Sequence, residues 1–163
     1  MQNKETKKTE SARKQQSPLV YILAVVGILT VLIGGFFVLK NQVNTVQYRQ
    51  VTIGSKQFNL EVADTASERE KGLSERDSIP NDGGMLFDFK ENGNWQMWML
   101  QMRFPIDIAW LTKEGTVVGI KNSAQPGDYP DVYYAEQPSW YVIEVPAGTF
   151  NNLGVKEGDT IKL

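Results

Sequence analysis

The stretch Phe104–Asn122, FPIDIAWLTKEGTVVGIKN, decides the fold class. Ile106, Ile108 and Trp110 alternate with Asp107, Ala109 and Leu111, which is the two-residue period of a strand. The segment Lys113-Glu114-Gly115-Thr116 supplies a turn, and the residues after it are again rich in β-branched side chains. The same grammar extends outward in both directions. In 48–64, YRQVTIGSKQFNLEVAD, Val51 and Ile53 alternate with polar neighbours, Gly54-Ser55 turns the chain, and Phe58, Leu60 and Val62 alternate again. Further short strands are expected in GMLFDF (84–89), WQMWML (95–100) and WYVIEVP (140–146), with turns at KENGN and the Pro/Gly-rich SAQPGDYPD. One short helix is expected in TASEREKGL (65–73), where Thr65 caps, Glu68 occupies the capping-box position and Gly72 ends it. Near the C-terminus a brief helical turn ends at Gly154, and a final strand pair turns at Glu157-Gly158. Short strands with little helix predict a mostly β fold, a small antiparallel β-sandwich or barrel with one or two short helices.

Upstream the composition changes. Leu19–Leu39 is 21 residues without a charge, and at about 1.5 Å per helical residue it matches the ~30 Å core of a bilayer. A cleavable leader would be shorter and end in a small-x-small site, which FFVLKNQVN lacks. Residues 1–18 hold Lys4, Lys7, Lys8, Arg13 and Lys14 against Glu5 and Glu10, so the positive-inside rule keeps this arm in the cytoplasm. The expected organisation is therefore a basic arm (1–18), a transmembrane helix (19–39), a stem (40–47) and an extracytoplasmic domain (48–163) at the cell membrane. The lipid bilayer is the partner of 19–39.

Residues 44–163 carry 11 Lys and Arg against 17 Asp and Glu, a net of −6. That balance argues against nucleic acid as a partner. The chain has no Cys and no His. Disulfides, thiol nucleophiles, Ser-His-Asp triads and conventional zinc sites are thereby excluded, and no cofactor is expected.

The ordered series ASEREKGL, GMLFDF, MWM…FPIDIAWLTKEGTVVGI and IEVPAGTF…LGVKEGDTIKL resembles the DUF192 (UPF0127) family over about residues 50–163. The resemblance implies a compact, mostly β, often exported domain without an assigned reaction. Arg69, Gly72, Gly84, Trp98, Met99, Pro105, Asp107 and Gly148 are among the matching positions. Many members read Met-Lys-Asn-Thr where this chain has Met99-Leu100-Gln101-Met102.

Several residues carry candidate chemistry. Met97 and Met99 would share a strand face, as a two-thioether Cu(I) site requires, with Trp98 available for a cation–π contact. Against this, both faces of the run are apolar, the pattern of a doubly buried strand, so no metal site is assigned. Asp107 stands among apolar neighbours. It is either a catalytic carboxylate or the buried partner of Arg69 or Arg103, the ion pair being favoured. Glu144 shares the face of Trp140 and Val142 and is a second candidate acid. Pairing Asp107 with Asp82, Asp88 or Glu144 would suit glycoside hydrolysis if the carboxyls lay roughly 5–10 Å apart. Tyr133 and Tyr134, in an aromatic Pro-rich loop, join Arg69, Trp98 and Glu144 as candidate ligand-binding residues for a glycan or an envelope protein. The expected function is a binding or envelope-associated module. A carboxylate enzyme on envelope polysaccharide and Cu(I) binding are the alternatives.

Overall fold

The computed structural model describes residues 18–40 and 45–163. The proposed arm and much of the proposed stem lie outside these residues. Helix α1 (Pro18–Lys40) belongs to one unit, and Val46–Leu163 forms a second compact unit. The α1 side chains described beyond Pro18-Leu19 run from Tyr21 to Ile33. They are exposed and, Thr30 apart, apolar; among the described residues no helix is long and apolar enough to cross a membrane.

In the second unit, β1 (Tyr48–Ile53) and β2 (Lys56–Ala63) form the expected hairpin. Helix α2 (Ala66–Lys71) follows with its capping box formed: Glu68 N–H donates to Thr65 Oγ1 at 3.3 Å, and Thr65 N–H to Glu68 Oε2 at 3.0 Å. Gly72 closes it at φ 51°, a conformation that favours glycine. The remaining strands are β3 (Met85–Gly93), β4 (Met97–Trp98), β5 (Ile106–Leu111), β6 (Val117–Ala124), β7 (Val132–Tyr133) and β8 (Ser139–Pro146). A last helix, α3, covers Thr149–Leu153.

Six strands build one sheet in the order β1-β2-β3-β8-β5-β6, and β4 pairs with β7 separately. The mostly β fold with short helices is as expected, but the small antiparallel β-sandwich or barrel is corrected. There is one open sheet, and β2 and β3 run parallel. A parallel pair needs a long crossover, and α2 with its following loop provides it. The expected C-terminal strand pair is also replaced. Thr52 bridges Lys162 and Thr116 bridges Thr160, so the tail spans from β1 to the start of β6, the two sheet edges.

Both faces of the sheet are buried. Ile106, Ile108 and Trp110 of β5 pack with Phe87, Val142 and the methionines on one face. Ala109 and Leu111 pack with Leu60, Ile143, Val145 and Phe150 on the other. The β5 alternation thus holds residue by residue. The expected six-residue strand 95–100 does not. Only Met97-Trp98 is extended, because Gln101 adopts φ 57° and Met102 N–H turns back to Met99 O at 3.2 Å. The run crosses over the sheet face and is not a doubly buried strand within it. Met97 and Met99 are buried while Trp98 and Leu100 reach solvent.

Candidate functional site

Asp107 is fully buried, and its partners are backbone amides. Ser123 N–H donates to Oδ1 at 2.8 Å, Gly148 N–H to Oδ1 at 3.1 Å and Phe150 N–H to Oδ2 at 3.0 Å. From β5, then, it ties down β6 and supplies the cap that α3 lacks from its own N-cap residue, Gly148. The expected ion pair is corrected. Arg69 donates to the carbonyls of Asp64 (2.7 Å) and Asp88 (3.0 Å) and lies over Phe89. Arg103 pairs with exposed Asp77.

Glu144 lies one strand away, on β8. In register, Ile108 faces Glu144 and Asp107 faces Val145, so the two carboxyls project from opposite faces of the sheet. They cannot flank one glycosidic bond. Asp88 pairs with Tyr141, which pairs with Leu111. It therefore sits two strands across and four residues along from Asp107, roughly 16 Å away. Asp82 lines a separate surface hollow beside Glu61.

The site worth pursuing forms around Glu144. Glu144 is 3 % exposed, and its Oε2 has no hydrogen-bond partner. Burial pushes its pKa up to about 8, against a smaller lowering by the Arg76 guanidinium. Arg76 itself is engaged elsewhere, in a two-pronged pair with Glu61 at 2.5 and 2.7 Å. Next to Glu144 is a cavity of about 30 Å³, walled by the end of α2, by Leu73, Phe87 and Met102, and by Met97-Trp98 of β4. This volume holds roughly two waters. Two contacts join its walls: Ser74 Oγ donates to Leu100 O at 2.8 Å, and Glu75 N–H to Gln101 O at 2.9 Å. Both Glu75 and Gln101 have positive φ (65° and 57°), so the rim is made of two left-handed residues bonded together. Gly84 is fixed by the same strand: at φ 151°, an added Cβ would fall 2.1 Å from the Glu144 carbonyl oxygen.

The structure therefore brings Arg69, Met97, Trp98 and Glu144 to one cavity and leaves Asp107, Tyr133 and Tyr134 out of its lining. Met99 is in the core and is not on the cavity wall. The Tyr133 hydroxyl donates to Asp128, and Lys121 sits 4.6 Å from its ring centroid; burial, then Asp128, raises its pKa. Tyr133 thus pins its own loop, while Tyr134 is 62 % exposed. Met102 reaches the wall through the turn at Gln101, which strand alternation does not reveal.

The family model DUF192, described as "Uncharacterized ACR", matches residues 49–163. The chain belongs to the DUF192 family. No curated protein matches the sequence. Among solved structures, the chain is similar to a protein of Sinorhizobium meliloti named as a candidate transcription regulator. That match has 32 % identity and TM-score 0.66, and covers 73 % of this chain and 97 % of the other. It is also similar to a Novosphingobium aromaticivorans protein of unknown function, at 28 % identity and TM-score 0.68, covering 76 % and 90 %. The matched region takes up nearly all of each of these two chains.

Proposed function

We propose that this DUF192 protein is a membrane-tethered binding module whose ligand site is the cavity beside Glu144. The observation that carries the reading is the buried Glu144 Oε2, unpartnered and adjacent to that cavity. Leaving such a group unsatisfied costs about 1–3 kcal/mol or more, a cost that a ligand able to meet it would remove. The hollow is small, with about 30 Å³ of water-accessible room, so the reading narrows from an extended glycan to a small ligand. Supporting the tether are the 21 uncharged residues Leu19–Leu39, which fall within the 23-residue helix α1. With the basic arm inside, the domain faces outward. The regulator name of the Sinorhizobium relative is not carried over, because 17 acids against 11 bases repel a phosphate backbone.

Backbone amide shifts of isotopically labelled Val46–Leu163 test the site, using a panel of amino acids, monosaccharides and simple cations. Shifts confined to residues 69–74, 97–102 and 144 support it. Shifts clustered at Tyr129–Tyr134, or none anywhere, would overturn it. Protease accessibility in intact and opened cells expressing the full chain tests the tether and its orientation.

A further inference from the structure

The cavity beside Glu144 contains a donor set different from those of zinc or calcium sites. Among the described residues no three His, Cys, Asp or Glu side chains gather to hold a metal. Met97 and Met102 do line the cavity, and each is 8 % exposed. A thioether is neutral, polarisable and weakly basic. It binds hard ions poorly and suits soft monovalent ions such as Cu(I) and Ag(I). Two neutral sulfurs cannot offset a buried positive charge, but Glu144 can, by releasing its proton as the cation enters and turning its unpartnered oxygen to it. Trp98, 38 % exposed, also lines the cavity, and an indole face attracts a cation.

The competing account is that these methionines only fill the core. Met99 fits that account, being 1 % exposed and absent from the cavity wall. Met97 and Met102 differ, because both line the hollow beside Glu144 and each is 8 % exposed. The pair is also not the one that strand alternation selects. The turn from Met99 to Met102 replaces Met99 by Met102 on the wall.

Resting on the pocket reading above, we propose that the cavity binds one soft monovalent metal ion between the thioethers of Met97 and Met102 and the carboxylate of Glu144, beneath Trp98.

Titrating Val46–Leu163 with Ag(I), a soft and redox-inert probe, against a chromophoric chelator tests this. One ion per chain is expected, with quenching of tryptophan fluorescence. Changing Met97 and Met102 together to Leu should weaken binding on the order of 10–100-fold or more, and Glu144→Gln should weaken it by at least about 10-fold. Met99→Leu, a buried methionine off the wall, should bind as the parent does. Amide spectra confirm that each variant is folded, and Glu144→Gln gives an independent reading should the double variant not fold. Ag(I) binding that survives the Met97/Met102 change, or that Met99→Leu weakens equally, overturns the proposal. No Ag(I) binding, with other compounds still shifting residues 69–74 and 97–102, overturns the ion alone and leaves the pocket standing. Silence in both experiments overturns both.

Discussion

Asp107 and Glu144 are acidic residues on neighbouring strands of one sheet, both buried, yet they stand in opposite conditions. Asp107 accepts three backbone N–H bonds from two other parts of the chain. Glu144 has an oxygen with no partner, and Arg76, whose charge acts on it, is held by Glu61. A buried carboxyl whose acceptor sites are filled by the backbone is part of the framework, and no ligand can approach it without dismantling three bonds. A buried carboxyl left unfilled beside a cavity destabilises the fold and invites a ligand. Burial alone would have ranked the two together. Their hydrogen-bond partners separate them.

The largest effect should follow from breaking the satisfied member. Asp107→Ala strands three backbone amides at the β6 and α3 junctions. At roughly 1–3 kcal/mol per unsatisfied group, less what entering water recovers, the loss should be on the order of 4 kcal/mol. Asp107→Asn keeps one acceptor oxygen and should lose about half as much. Urea unfolding of Val46–Leu163 measures both. If Asp107→Ala is neutral, the framework role is wrong.

Glu144 should behave in the reverse sense. Its pKa rises from an ordinary 4.5 to about 8 on folding, chiefly through burial. Between those values the folded chain holds a proton that the unfolded chain has released. Stability is therefore full below about pH 4.5, falls as pH rises, and has lost this contribution once pH passes 8. The slope is at most about 1.4 kcal/mol per pH unit. Glu144→Gln has no proton to lose and should flatten this part of the profile, making the variant the more stable of the two near pH 8.5. Unfolding midpoints of both proteins from pH 5 to 8.5 decide it, and parallel profiles would sink the claim.

How much of this contrast could be read beforehand depends on which interactions are local. The β5 alternation put Asp107 opposite Ile106 and Ile108, and WYVIEVP put Glu144 on the face of Val142, as the structure has them. The α2 cap was legible because Thr65 and Glu68 are three residues apart and bond to each other. What was not legible is non-local. Every residue carries an N–H, so nothing in the sequence marks Ser123, Gly148 and Phe150 as the partners of Asp107, and an arginine looked the more natural choice. The insertion of β8 between β3 and β5 likewise depends on pairing across more than fifty residues. Strand alternation misjudged 95–100 because a left-handed Gln101 breaks a run whose side chains are all compatible with extension.

The finest test of the contrast is Arg76. It lowers the Glu144 pKa through its charge, a weaker influence than the burial that raises it. Because its guanidinium is fixed by Glu61 and partly solvated, it contributes field but no bond to Glu144. Arg76→Met should therefore leave the shape of the Glu144 pH profile intact and move its midpoint upward by a fraction of a unit, with the half-buried ion pair itself worth about 1 kcal/mol. A carboxyl-labelled Glu144 titration followed by NMR in parent and variant would resolve that shift. A midpoint that moves down, or by several units, would mean that Arg76 is a direct partner of Glu144, and the unfilled carboxyl would then be as structural as Asp107.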